Sequence, residues 1–410
     1  MVSIMNILFL CLSYSDETHK NFYEELLQEF SDNGHNIYVV CAAEKRTGLE
    51  TTYSNIRGIN VLRVKTGNIT ENKNLIEKGI STLLIDHQFK VAIEEYLSDV
   101  AFDLIIYPTP PITLAGVVKY LKNKHKASSY LLLKDIFPQN AIDLGMLSES
   151  GIKGFIYKYF RWKEKQLYVV SDYIGCMSPA NVQYVLAHNK EVDENIIEVC
   201  PNSVKPIELH NNDEDKVNIR KKYGVPLDKK VFVYGGNLGK PQGIDFFLKC
   251  ILAVKDVKEA FFLVVGGGSE AAKISKLIAD NNIENAKLIN QLPKDEYELL
   301  ANTCDVGLVF LDYRFTIPNF PSRILSYMQN AMPVLVVTDP NTDMGDIAEA
   351  NNFGWKCLSN DVEAFKTKVI EIVKSDLVTK GRNSRKYMLD NYDVKDSYEI
   401  IMKHFGKSEK

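Results

Sequence analysis

Along most of its length the chain repeats one pattern: a short run of apolar, strand-forming residues, then a longer stretch with apolar residues on one helical face. In the first half the strand-like runs are 7–12, 36–42, 59–65, 102–107, 129–134, 174–177 and 196–200. The helical patterns between them are 17–33, 74–99, 111–124, 152–170 and 179–189. The second half has strands at 231–234, 261–265, 287–290, 306–311 and 334–337, with 355–358 as an edge, and helices at 245–254, 269–281, 294–302 and 321–330. Near-continuous apolar strands separated by helices predict parallel sheets covered on both faces. The fold class expected is α/β, two tandem doubly wound Rossmann-like domains facing across a cleft. Residues 201–215 (PNSVKPIELHNNDED) interrupt the alternation with prolines, asparagines and acidic residues, as a domain boundary does. The domains expected are 1–202, a linker with its first helix at 203–222, 223–390, and a terminal helix in 391–410 that returns to the first domain.

Composition narrows the class. With 410 residues, 45% hydrophobic and 25% charged content and a net charge of −4, the chain reads as an ordinary globular protein with no global signal for nucleic acid. No apolar run approaches the ~20 residues needed to span a bilayer. The opening residues read as a strand rather than a secretory signal, so a cytoplasmic location is expected. Seven scattered cysteines, without CxxC or HxxxH, read as small buried hydrophobes in a reducing compartment. Asp213-Glu214-Asp215 matches DxD by letters but follows a polar loop, so neither a metal site nor a cofactor is expected.

The stretch 231–245 (VFVYGGNLGKPQGID) carries the first chemical signal. A buried strand runs into Gly235, Gly236, Asn237, Leu238 and Gly239, with Lys240 beside them and a helix opening at Asp245. Glycines free to take positive φ, unpaired backbone N–H groups and a cation together suit a diphosphate. Glycines also end buried strands for packing reasons alone.

Five blocks, YGGNLGKPQGID (234–245), FLVVGGGSE (262–270), LINQLPKDEYELLANTCDVGLVFL (288–311), IPNFPSRILSYMQNAMPVLV (317–336) and LLLKDIFPQNAIDLGML (131–147), resemble the GT-B-fold glycosyltransferases of family 4. Within that family they resemble the N-acetylfucosamine transferase-like subgroup of capsule and O-antigen synthesis. The resemblance implies a UDP-sugar donor, a lipid-linked (polyprenyl diphosphate) saccharide acceptor, and transfer with retention. It places Gly266 and Gly267 beside the nucleotide, Gln291 and Leu292 at the base, and Ser326 on the ribose side. The family's Glu–x7–Glu pair falls on Pro318 and Ser326, so both carboxylates are missing and ribose binding is in doubt. Pro321-Ser322-Arg323 matches the subgroup's PSK/PSR motif: Ser322 offers a hydroxyl and a backbone N–H, and Arg323 a bidentate fork to diphosphate oxygens. Lys240 and Arg323 are expected to stabilise the leaving diphosphate in place of a metal. On the acceptor side the candidates are Ser13, Tyr14, His19 and Asp135, with Asp135 as a base or orienting carboxylate.

The segment 152–169 interleaves aromatic and basic residues, as an interfacial helix on anionic lipid does, and a second basic run holds Lys119, Lys122, Lys124 and Lys126. Leu83-Leu84-Ile85, read as an apolar loop, is a further membrane candidate on the inner face. A crossover helix with aromatics in the core and solvated lysines gives the same pattern. Two other functions keep the fold: a sugar-nucleotide epimerase, and a non-catalytic subunit that binds nucleotide or a partner.

Overall fold

Capping chemistry sets where the first helix begins. In the computed structural model, which describes residues 4–15, 21–70, 75–209 and 213–406, Asn21 Oδ1 accepts the N–H groups of Tyr23 (2.9 Å) and Glu24 (3.1 Å). Glu24 Oε2 accepts the Asn21 N–H in return at 3.0 Å. This capping box starts the helix at Phe22, later than the 17–33 pattern predicts. His19 lies outside the described residues.

The elements in chain order are β1 (Asn6–Cys11), α1 (Phe22–Asp32), β2 (Asn36–Glu44), β3 (Thr52–Ile56), β4 (Ile59–Thr66), α2 (Leu75–Tyr96), β5 (Leu104–Pro108) and α3 (Ala115–His125). Then come β6 (Ser128–Leu133), α4 (Gln139–Asp143), α5 (Gly151–Val170), β7 (Tyr173–Cys176), α6 (Pro179–His188), β8 (Ile197–Val199) and α7 (Asp213–Tyr223). They continue with β9 (Lys230–Gly235), α8 (Ile244–Ala253), β10 (Ala260–Val265), α9 (Ala271–Asp280), β11 (Ala286–Ile289), α10 (Lys294–Ala301), β12 (Val306–Phe310) and α11 (Arg323–Gln329). The last are β13 (Val334–Thr338), α12 (Met344–Ala350), β14 (Gly354–Leu358), α13 (Val362–Ile372), α14 (Leu377–Asn391) and α15 (Val394–Met402).

Two compact units result: Met1–Val204 with Val394–Lys410, and Lys205–Asp393. The first holds an eight-stranded sheet in the order β3-β4-β2-β1-β5-β6-β7-β8. Its pairings are parallel except β3 with β4. The sequence reading has no β3, because that strand is mostly exposed and carries no apolar alternation. The helix α15 belongs to this unit. Tyr398 packs its ring on Phe30 (centroids 5.0 Å) and its hydroxyl meets His35 Nε2 at 3.2 Å. His404 stacks on Tyr173 at 3.7 Å and reaches Glu198 at 2.8 Å.

The second unit holds a six-stranded parallel sheet, β11-β10-β9-β12-β13-β14. The strand at 355–358 is its edge. The core on one face joins Phe232, Phe262, Phe310 and Phe365 with Phe247 of α8. Burying an aromatic or aliphatic side chain of this size contributes roughly 1.5–3 kcal/mol, which holds the strand ends where the site needs them. The acidic triplet at 213–215 lies in the first turn of α7, and Arg220 of that helix is buried against the Thr303 carbonyl (2.9 Å from Nε) and Asp305 (2.8 Å).

All seven cysteines are free and six are buried. No described helix is long and apolar enough to cross a membrane. Leu83, Leu84 and Ile85 are helical, within α2, rather than a loop, and Ile85 is wholly buried. The helical pattern of the flanking residues runs straight through them.

Candidate functional site

The glycine turn after β9 and the one after β10 are knitted into one another. Gly236 N–H donates to the Val265 carbonyl (2.9 Å) and Leu238 N–H to the Gly267 carbonyl (2.9 Å). The Glu270 N–H returns a bond to the Leu238 carbonyl at 3.0 Å. Gly236 takes φ +120°, and a Cβ on Gly266 would stand 1.9 Å from the Gly236 oxygen. Only glycine permits that approach.

The sequence predicts unpaired N–H groups at this turn, and in the structure several of them are used internally. Gly235 donates to the Tyr327 hydroxyl (3.2 Å) and Gly239 to Gln242 Oε1 (3.1 Å), besides Gly236 and Leu238 above. The backbone bonds of the turns leave the N–H groups of Asn237 and Gly267 unused among the described residues. Leu238 is fully buried and its role is to hold the two turns together.

A cavity of about 530 Å³ opens beside these turns, entirely within the second unit. Gly235, Gly236 and Asn237 line it, as do Gly266, Gly267, Gln291 and Leu292. Ser322, Arg323 and Ser326 from the start of α11 also line it, with Lys294, Tyr297 and Glu298 of α10. The structure therefore brings together residues from four separate blocks of sequence.

Arg323 is not a loose surface charge. Its Nη1 donates to the Gly235 carbonyl at 2.9 Å, and its guanidinium carbon sits 4.4 Å from the centre of the Tyr234 ring. The planar group is thus held by one hydrogen bond and one ring face, with its other N–H groups able to address an anion. Lys240 is placed differently. It begins a 3-10 turn (Lys240–Gln242), is exposed, and does not line the cavity. Helix α8 opens at Ile244, after Gly243 in the left-handed region.

Glu298 is the residue that sequence reasoning passed over. Ser326 Oγ donates to its Oε2 at 2.9 Å, and the Asn330 side chain donates to it as well. Desolvation raises its carboxyl above the usual range, with Ser326 and then Lys294 acting against the rise. Pro318 is buried away from the cavity. At position 326, where the resemblance leads one to expect a carboxylate, a serine holds one supplied by α10. Within KDEYELLA (294–301) Glu298 looks like an ordinary surface charge, and only the packing of α10 beside α11 reveals it.

In the first unit, Asp135 follows β6. Thr109 Oγ1 accepts the N–H groups of Lys134 (2.9 Å) and Asp135 (3.1 Å) and donates to the Asp135 carbonyl (3.1 Å), which fixes the strand end. Desolvation pushes the Asp135 carboxyl up to about 6, although the residue keeps an exposed face through which water tempers the rise. The Tyr23 hydroxyl, raised first by burial, also feels the Asp135 charge, so it joins this group. Tyr14 is half-buried and pushed up to about 12 by burial and then by Glu24. Ser13 is exposed, and its carbonyl accepts the Cys11 thiol at 3.2 Å. Beside Asp135, Lys134 Nζ donates to the Cys200 carbonyl at 2.8 Å, and desolvation lowers its pKa to about 8.

Among the described residues no group of three or more His, Cys, Asp or Glu side chains could hold a metal ion.

Comparison with known proteins bears on the fold and the class of enzyme. Residues 215–391 match the family described as Glycosyl transferases group 1. The chain is 25% identical over 333 residues to the probable glycosyltransferase WbjE of Pseudomonas aeruginosa, covering 80% of each chain. It is 22% identical over 255 residues to WcaI of Escherichia coli K12, a candidate colanic acid biosynthesis glycosyl transferase, covering 60% of each. Among solved structures, HepE of Anabaena in complex with UDP and glucose superposes with a TM-score of 0.71 at 14% identity, over 98% of this chain and 99% of that one. The protein is a glycosyltransferase with the GT-B fold.

Proposed function

We propose that the protein moves a sugar from a UDP-sugar to a lipid-linked saccharide during surface-polysaccharide synthesis, without a metal and with retention. On this reading it stands with the family 4 transferases of the N-acetylfucosamine type. The observation that carries it is the guanidinium of Arg323, fixed between the Gly235 carbonyl and the Tyr234 ring at the wall of the glycine cavity. As the anomeric C–O bond breaks, its electron pair leaves on the diphosphate, and Arg323 with the Asn237 and Gly267 N–H groups neutralises that charge. The acceptor oxygen bonds to the same carbon and its proton passes to a carboxylate base, the role proposed for Asp135. HepE's complex with UDP supports the choice of nucleotide, and the WcaI description supports the pathway class. Calorimetry with UDP, GDP and a panel of UDP-sugars tests it: UDP binds most tightly and EDTA changes nothing. Absence of binding by every nucleotide would end the reading.

The acceptor's lipid places the enzyme on the inner face of the cytoplasmic membrane, and α5 supplies the surface. Ile152, Phe155, Ile156, Tyr159 and Trp162 are 40–83% exposed along one face of α5. Lys153 and Lys158 are exposed beside them. On α2, Ile80, Leu83 and Leu84 are exposed too, and Asp86 of that helix feels the charge of Lys163. The second basic run serves otherwise: Lys122 pairs with Asp172 and Lys124 with Glu94, each at 2.8 Å. Exposed aromatics with unpaired apolar neighbours and flanking lysines fit an anionic bilayer surface. A Phe155→Ser, Trp162→Ser double variant should float with anionic vesicles at least about tenfold less than the parent, since each buried aromatic is worth roughly 1.5–3 kcal/mol. Unchanged flotation would remove α5 from the membrane.

A further inference from the structure

We infer that Glu298 is the residue that recognises the ribose of the donor by accepting hydrogen bonds from its 2′- and 3′-hydroxyls. The inference rests on the nucleotide-diphosphate reading above and adds to it a residue that the sequence did not single out.

Among the described residues Glu298 is the one carboxylate lining the cavity, together with the cationic Arg323 and Lys294, and the Lys294 charge acts on it. A carboxylate cannot face a diphosphate without strong repulsion. It must therefore meet an uncharged, hydrogen-donating part of the ligand. Helix α11 fixes how far that part lies from the phosphates. Arg323 opens the helix and Ser326, which holds Glu298 at 2.9 Å, follows about one turn later, roughly 5 Å along the axis. On a nucleoside diphosphate the donor group at that remove is the ribose diol, with the base beyond it toward Gln291 and Leu292.

The carboxylate is also set up to accept. Ser326 and Asn330 donate to it, and a carboxylate has about four acceptor positions. The protein thus orients the group while leaving capacity for two ligand hydroxyls. Its raised pKa, caused by desolvation, reports the same thing: the charge lacks part of the solvation that a bound diol would supply. The hydroxyls of the transferred sugar have the same chemistry, but they lie on the far side of the diphosphate from the base. Glu298 lines the cavity together with Gln291 and Leu292, which the donor reading proposed above sets at the base.

The test is calorimetry of the full chain and its Glu298→Gln variant with UDP, 2′-deoxy-UDP, UDP-glucose and inorganic pyrophosphate. The parent should prefer UDP over 2′-deoxy-UDP by about tenfold or more, the usual size of a hydrogen bond to a charged group. E298Q should reduce that preference to about threefold or less while binding pyrophosphate as the parent does. An undiminished preference in E298Q overturns the inference and leaves the donor reading intact. Loss of pyrophosphate binding in E298Q also overturns it, because Glu298 would then support the anionic end. A preference that shifts only between UDP-glucose and UDP assigns Glu298 to the sugar instead of the ribose. Failure of the parent to bind any of the nucleotides overturns both readings together.

Discussion

Arg323→Ala should weaken UDP binding by about 10- to 100-fold, and turnover with the correct donor by about 100- to 1000-fold. The two losses differ because the diphosphate gains charge as the glycosidic bond breaks, so the guanidinium contributes more in the transition state than in the ground state. Arg323→Lys should recover little. An ammonium is a compact point charge, and it cannot bond the Gly235 carbonyl while presenting a planar fork to the phosphates. It also loses much of the stacking on Tyr234, where the guanidinium carbon sits 4.4 Å from the ring centre. Calorimetry with UDP and measurement of UDP release give the two numbers, and a melting curve checks that the variant is folded. If Arg323→Ala binds UDP within threefold of the parent, the charge needed by the leaving group must come from elsewhere. Lys240 is then the first place to look, because it lies on the same turn although the structure leaves it outside the cavity.

Much of this site can be read from the residues alone, for a definable reason. Strands such as 231–234 and 261–265 are buried on both faces, so their composition is apolar throughout, and the glycines that follow mark where the chain leaves the sheet. Those glycines line the cavity because the two strands pair in parallel and end side by side, Val265 opposite Gly235. The unread parts depend on packing between elements distant in sequence. Glu298 gains its meaning from Ser326, on another helix. Likewise β3 shows no apolar alternation, because it pairs at the sheet edge with only β4. The aromatics of α5 are ambiguous in sequence for a similar reason. A helix covering a sheet and a helix lying on lipid carry the same residues. The structure separates the two roles within one helix: Leu167 and Tyr168 are buried, while Phe155 and Trp162 are 77% and 51% exposed.

Gly266→Ala should destabilise the second unit by about 2–4 kcal/mol and abolish nucleotide binding, while Gly267→Ala next to it should cost less than about 1 kcal/mol. The contrast follows from what each new Cβ meets. At 266 it would lie 1.9 Å from the Gly236 oxygen and 3.0 Å from its carbonyl carbon, which are backbone atoms with no rotamer to change. The turn after β9 would have to retreat, and the Gly236 N–H to Val265 carbonyl bond would stretch or break. Because Gly235 lies in that turn, the carbonyl that anchors Arg323 moves with it. At 267 the nearest atom is Gln291 Oε1 at 3.7 Å, an ordinary contact with a flexible side chain. The Gly→Ala change also removes unfolded-chain freedom, which favours the folded state by roughly 0.4–1 kcal/mol wherever the native backbone accepts alanine. That gain offsets part of the cost at 267 and is overwhelmed at 266. Thermal melting should therefore fall by about 4–16 °C for Gly266→Ala, at 2–4 °C per kcal/mol for a unit of this size, and change little for Gly267→Ala. Equal melting temperatures and equal UDP affinities for the two variants would mean that the turns are not interlocked as drawn. A pre-formed diphosphate seat would then have no geometric basis.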